Sequence, residues 1–267
     1  MMPGILISFD LITCTCLQQE INLPADDGLK DRAVAELRHV LNTGQGWEKV
    51  HAAEFLLESG YKENVYSVFY SEWNKNGHVP QYRIGIWRVL YRCAGTEEKH
   101  TWSDLIHNAF TDESSPDRIH AVETLAKLKI PVKDSDSIPI CSALQSGNPS
   151  LWFYTQWWVI PSKKNGTEEL KRFLLQMIHS EENTPLLRQL AKYVLQTDTT
   201  VSLTVEGCIT LHEHEALLFE REPYQWCLAS AGKKDTADLE KLSLLLKHQE
   251  TDVRSAAAYA IIKILSK

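Results

Sequence analysis

The chain lacks the cysteine pattern of a metal or redox protein. Only six of its 267 residues are cysteine, and no two of them have the CxxC spacing that zinc and thiol-redox sites use. We therefore predict no metal site. The last four cysteines have mainly apolar neighbours, which predicts buried thiols; they are Cys93, Cys141, Cys208 and Cys227.

Other absences exclude further classes of protein. Basic residues are outnumbered by acidic ones, 28 against 35, and the net charge of −7 argues against a nucleic-acid partner. No later segment approaches the roughly 18 consecutive apolar residues of a membrane-spanning helix. The sequence contains no GxSxG, HExxH, phosphate-loop or dinucleotide motif, so we predict neither an enzyme nor a cofactor.

The N-terminal region has the outline of an export signal. Ile5 to Leu17 is apolar apart from Asp10 and small polar residues, and Leu11 to Cys14 resembles a bacterial lipoprotein box, which makes Cys14 a lipidation candidate. No Lys or Arg precedes the run, however, so residues 1–23 are either a signal or a tail before a single domain at 24–267. The first alternative predicts the cell envelope, with a lipid anchor as the only membrane contact, and the second predicts the cytoplasm.

A repeat organises the rest of the chain. The segment VHAAEFL from Val50 recurs as IHAVETL from Ile119, 69 residues later, and related segments begin at Leu187 and Val253. A second series has tryptophan at 87, 157 and 226, with the same period. Because a two-helix repeat takes about 34 to 40 residues, each unit holds two helical hairpins, and about seven hairpins fill the chain.

The periodicity within these segments is helical. Trp47, Val50, Ala53 and Leu57 recur at steps of three and four, so we predict an all-α chain with helices at Trp47–Glu58, Pro116–Lys127, Pro185–Leu195 and Asp252–Leu265. Small residues on the inward face should be buried at close helix contacts; they are Ala53, Val122, Ala257 and Ala258. The β-branched segment 199–210 is interpreted as a loop plus an irregular helix.

The last of these helices, from Asp252 to Ile261, closely resembles the second helix of a HEAT repeat. The resemblance covers about residues 30 to 267 and implies an α-α superhelix, a HEAT-like solenoid of about seven helical hairpins. It also implies a binding or scaffold role, with a protein or peptide partner on the concave face. His51 and His120 stand where the family has arginine, whereas Arg188 keeps the family residue.

Two pairs of residues on the repeated helices are candidate ligand-binding groups. His51 with Glu54, and His120 with Glu123, each share a helix face at a spacing of three. The two histidines should lie two stacked repeats apart, or ~20 Å, which together with the small number of ligands argues against a metal. His212 to Glu215 alternates histidine and glutamate, a pattern that does not share a helix face and indicates a solvated turn.

Aromatic segments supply the other candidates. Arg83 and Trp87 lie four residues apart, close to Tyr82, and can cradle an anionic or glycan group; alternatively, the arginines pair with acidic residues of adjacent repeats. Five aromatics crowd into the seven residues from Trp152 to Trp158, which form either core packing or a platform for a ligand.

Three functions follow from these observations. The first is the non-enzymatic HEAT-type scaffold that binds a protein or peptide. The second is an accessory protein, anchored at the envelope, that binds a carbohydrate or small ligand through the aromatic segments. The third, a HEAT-like lyase or DNA glycosylase, has little support because catalytic motifs are missing and the chain is acidic.

Overall fold

A computed structural model describes residues 26–198, 201 and 222–266. Within these ranges all regular secondary structure is helical, with thirteen α-helices and no β-strand. No helix in this part of the chain is long and apolar enough to cross a membrane. Several predictions concern residues outside these ranges. They are the predictions for residues 1–23, Cys14, Cys208, His212 to Glu215 and all of 199–210 except Val201.

The helices are α1 Asp26–Thr43, α2 Gly46–Glu58, α3 Val65–Asn76, α4 Tyr82–Cys93, α5 Thr96–Thr111, α6 Arg118–Lys127, α7 Ser137–Gln145, α8 Pro149–Val159, α9 Gly166–His179, α10 Pro185–Thr197, α11 Pro223–Lys233, α12 Leu239–Leu245 and α13 Thr251–Leu265. The four predicted helices are confirmed as α2, α6, α10 and α13. The three tryptophans of the second series lie on α4, α8 and α11.

Local sequence sets several helix ends. Proline occupies the first position of α8, α10 and α11, where its missing N–H costs nothing. Asn148 and Thr184 accept hydrogen bonds from the backbone of the first turns of α8 and α10. Gly60 follows α2 with φ 88°, a left-handed conformation that glycine adopts without strain.

The helices form two layers. An inner layer, here called the inner ring, consists of α2, α4, α6, α8, α10, α11 and α13, each packed against the next. The outer helices α1, α3, α5, α7, α9 and α12 each pack against the inner helix that follows them in sequence. Helices α2 and α4 run in the same direction, because Glu54 pairs with Arg88 and, one turn later, Glu58 pairs with Arg92.

The first and last described helices are in contact. Helix α13 packs against both α1 and α2. Arg254 Nε donates to Glu36 at 2.7 Å, and the rings of Phe55 and Tyr259 stack with centroids 4.5 Å apart. The first and last helices of an open superhelix would lie far apart. Closure of the inner ring was therefore not expected from the sequence.

Close packing of small residues brings the inner helices together. Ala53, Val122, Ala257 and Ala258 are fully buried, as predicted. Gly85 permits the approach of α4 to α2, because a Cβ atom there would lie 2.9 Å from Val50 Cγ2.

The prediction of buried thiols holds only in part. Cys227 is buried on the inner helix α11, and Cys93 is half-buried. For Cys141 the prediction was wrong, since this residue is exposed on the outer helix α7, where only Ala143 is buried.

Candidate functional site

The inner ring surrounds a partly open cavity of about 530 Å³, to which all seven of its helices contribute side chains. Most of these side chains come from the C-terminal halves of the helices. The volume lies within the range typical of pockets for small molecules. We call this space the central cavity.

The central cavity carries a positive charge excess inside an acidic chain. Among the described residues, five basic side chains line it, against three carboxylates. The basic ones are Arg92, Lys127, Lys129, Lys234 and Lys263, and the acidic ones are Glu54, Glu58 and Asp198. Since the whole chain carries a net charge of −7, the lining has the opposite sign of charge to the chain as a whole.

Glu54 is held in the wall by Arg88. Arg88 is 1% exposed, and its Nε and Nη2 atoms lie 2.7 and 3.1 Å from the carboxylate oxygens of Glu54. Arg88 Nη1 also donates to the hydroxyl of Thr124 on α6. Burial raises the pKa of Glu54, but the positive charges of Arg88, then Arg92 and Lys127, outweigh it and lower the pKa to about 2. The pair therefore joins three inner helices as a fixed, ionised element.

The other two carboxylates of the cavity also have partners. Glu58 pairs with Arg92 at 2.8 Å and accepts a hydrogen bond from the Tyr259 hydroxyl at 3.0 Å. Asp198 accepts a hydrogen bond from Trp157 Nε1 at 2.8 Å and lies 3.8 Å from Lys129 Nζ. None of the three is an open cation site, and no group of three or more His, Cys, Asp or Glu residues within the described ranges is arranged to hold a metal.

The lysines differ in their pairing. Lys127 forms an ion pair with Glu123 at 2.9 Å, which, against the effect of burial, holds the pKa of that carboxyl below its usual range. Lys263 Nζ lies 5.9 Å from the centroid of the Tyr259 ring. Within the described chain, neither Lys234 nor Lys263 has a carboxylate partner.

Two cavity lysines occupy backbone positions that favour glycine. Lys129 follows α6 with φ 53°, and Lys234 ends α11 with φ 57°. Lys129 stands one 69-residue unit after Gly60, and both positions close the same kind of helix terminus. A side chain in this conformation is strained, so lysine at both positions suggests that the charge has a use.

Tyrosines form much of the remaining wall. Tyr193, Tyr224 and Tyr259 line the cavity from α10, α11 and α13. Burial raises the pKa of each phenol well above its ordinary value. All three stay protonated at neutral pH and are hydroxyl donors.

His51 does not bond the preceding turn, as the arginines at two equivalent positions of the repeat do. Arg188 donates to the backbone carbonyls of Ser180 and Asn183, in the turn before its own helix. Arg254 does the same for the turn before α13. His51 instead lies in the cavity lining, with Nδ1 3.0 Å from Asp252 Oδ1.

The structure brings the two predicted histidines closer than expected. His51 and His120 both pack against Trp47, with ring centroids 6.2 and 5.2 Å from the indole. The expected separation of ~20 Å was therefore wrong. It assumed a straight stack of repeats, whereas the inner ring curves and draws the inward faces together. Among the four residues of the two pairs, His51 and Glu54 line the cavity.

The candidate residues on α4 lie elsewhere. Arg83 forms an ion pair with the buried Asp117, and its guanidinium lies 5.7 Å from the centroid of the Trp87 ring. Tyr82 and Trp87 are both 8% exposed. None of the three residues lines the central cavity.

The aromatic segment on α8 serves mainly as packing. Trp158 is 3% exposed, donates to the carbonyl of Ile130 and packs edge-on against Phe110. Trp152 packs against Phe173 of α9. Only Trp157, in the same segment, lines the cavity.

Sequence reasoning missed most of the cavity residues. The missed groups are Arg92, Lys127, Lys129, Lys234, Lys263, Tyr193, Tyr224 and Tyr259. A signal was present, since the basic members lie at or just after the C-terminal ends of repeated helices. It became interpretable only once those ends were known to converge.

Comparison of the chain with known protein families, with curated proteins and with solved structures finds no match. The central cavity is therefore the feature from which a function is inferred.

Proposed function

We propose that this protein binds a small anionic molecule in the central cavity. The observation that carries the proposal is a cavity of about 530 Å³ in which basic side chains outnumber carboxylates and two lysines lack a carboxylate partner within the described residues. Buried carboxylates are already neutralised by Arg88, Arg92 and Lys127. The remaining positive charge is available to a ligand.

This proposal favours the small-ligand alternative over a peptide partner. A peptide on a solenoid needs an open concave face along which it can extend. The contact of α13 with α1 and α2 joins the two ends of such a face around the central cavity. A binding role without catalysis is in keeping with the missing catalytic motifs.

We further propose that the helical hairpins are of the HEAT type. The repeat of about 69 residues supports this, as does the shared role of Arg188 and Arg254, each of which donates to the turn that precedes its helix. A HEAT-type array whose last hairpin packs on its first would account for both the sequence pattern and the cavity.

Binding can be tested with the dye anilinonaphthalene sulfonate, whose sulfonate and rings suit the lysines and tyrosines. We expect a fluorescence titration to give one saturable site. The double variant Lys234→Ala/Lys263→Ala should lose it, whereas Lys164→Ala, which removes an exposed lysine outside the cavity, should not. Equal dye binding by all three proteins would refute the proposal.

A further inference from the structure

The central cavity has two chemically different ends. Arg92, Lys129, Lys234 and Lys263 lie at or beyond the last turns of their helices, and we call this end the basic mouth. His51 lies seven residues before Glu58 on α2, so it is about 10 Å away along the helix axis. Tyr224, in the first turn of α11, lies beside it, with its ring centroid 6.3 Å from that of His51, and we call this second end the histidine end.

Asp252 fixes which hydrogen-bonding atom of His51 is offered to a ligand. A carboxylate only accepts hydrogen bonds, so Nδ1, at 3.0 Å, carries the proton. In the neutral ring Nε2 is then an acceptor, and it has no hydrogen-bond partner among the described residues. The histidine end therefore combines an imidazole acceptor with the phenol donor of Tyr224.

This combination suits an alcohol. A hydroxyl group both donates and accepts, so it can satisfy Nε2 of His51 and the phenol of Tyr224 together. The wall between the two ends includes Phe55 stacked on Tyr259, with ring planes 16° apart. Aromatic surfaces of this kind pack against the C–H faces of sugar rings.

We infer that the ligand is an acidic sugar of one or two rings, with its anionic group at the basic mouth and a hydroxyl group between His51 and Tyr224. The inference rests on the proposed function, since it assumes an anion in the central cavity. A span of about 10 Å accommodates a sugar phosphate or a uronate-containing disaccharide. The shared chemistry is an anion joined to a polyhydroxylated ring.

The first experiment is displacement of anilinonaphthalene sulfonate by four probes: glucose-6-phosphate, a glucuronate-containing disaccharide, glucose and inorganic phosphate. We expect an acidic sugar to displace the dye at least about tenfold more tightly than either glucose or phosphate, because only it engages both ends. A preference for glucose-6-phosphate or for the glucuronate-containing disaccharide identifies the anionic group. If inorganic phosphate competes as well as both acidic sugars, the inference fails while the proposed function stands; if the wild-type dye site is absent, the proposed function itself fails.

The second experiment removes the histidine end alone. In His51→Ala we expect about a tenfold loss of affinity for the preferred acidic sugar, the effect of one lost hydrogen bond, and no change for inorganic phosphate. His51→Gln, which keeps an acceptor, should recover part of the loss, and His100→Ala, an exposed histidine outside the cavity, should match wild type. Unchanged phosphate binding shows that the variant is folded. Equal loss for phosphate and the acidic sugar, or no loss for either, would overturn the assignment.

Discussion

Lys234 lowers the stability of the folded protein but contributes a positive charge to the binding site. Its φ of 57° places an L side chain in a left-handed conformation at the end of α11. Glycine adopts this conformation without strain, so Lys234→Gly should raise the free energy of unfolding by about 0.5–1 kcal/mol. The same change removes one cavity lysine and should weaken dye binding.

Urea unfolding and dye titration measure the two effects side by side. Lys164→Gly is the control, because Lys164 has no positive φ and does not line the cavity. It should give no gain in stability and no loss of dye affinity. A Lys234→Gly protein that is less stable than wild type would contradict the strain argument.

Glu54 makes stability depend on acidity. Its pKa in the folded protein is about 2, below the 4.5 of a free side chain, so the unfolded chain binds the proton first. The stabilisation is therefore complete above the unfolded pKa and is lost as pH falls from about 4.5 through 2. The shift corresponds to about 3 kcal/mol.

Urea midpoints recorded from pH 6 down to pH 3 test this dependence. The double variant Glu54→Gln/Arg88→Met removes the buried pair without leaving a lone charge, and its stability should fall less steeply with acid than that of wild type. Identical slopes would show that the pair is not ionised in the folded protein.

At the residue scale, sequence alone predicted the buried alanines but only part of the candidate site. Helical periodicity assigns inward faces, and that is why Ala53 and Ala257 were assigned correctly. Periodicity does not reveal which inward positions face a void. His51 and Glu54 were singled out as a local pair, whereas the partners that define their roles, Asp252 and Arg88, come from other helices.

Helix α13 depends on small side chains to fit between its neighbours. Ala257 is fully buried, on a helix that packs against α1, α2, α11 and α12. Ala257→Phe should cost on the order of 1 to 3 kcal/mol by overpacking. Ala237→Phe, at an exposed position before α12, is the matched control and should change little. Equal thermal midpoints for the two variants would contradict the packing described for α13.

The elements themselves were more predictable than their arrangement. The 69-residue repeat located α2, α6, α10 and α13, and proline marked the start of α10, because each copy of the repeat carries its own local helical periodicity. Closure was not predictable in this way. It depends on the curvature accumulated over seven inner helices, and contacts such as Glu36 with Arg254 span 218 positions of the chain.

For the whole molecule, closure predicts a compact particle. A globular chain of 267 residues should have a radius of gyration of about 18 Å. Seven inner helices side by side in an open array, at about 10 Å each, would be roughly 70 Å long and give a clearly larger value. Small-angle X-ray scattering distinguishes the two arrangements, and a radius above about 22 Å would rule out the closed ring in solution.

The contact between α1 and α13 also has a consequence for biosynthesis. Helical hairpins can fold one after another as they leave the ribosome, since each contacts mainly its neighbours. Helix α13 is translated after every other described helix, yet it supplies Asp252, Tyr259 and Lys263. A nascent chain that stops short of Thr251 thus has most of its hairpins but no complete binding site. Ligand added during translation should engage only chains that have already emerged through α13.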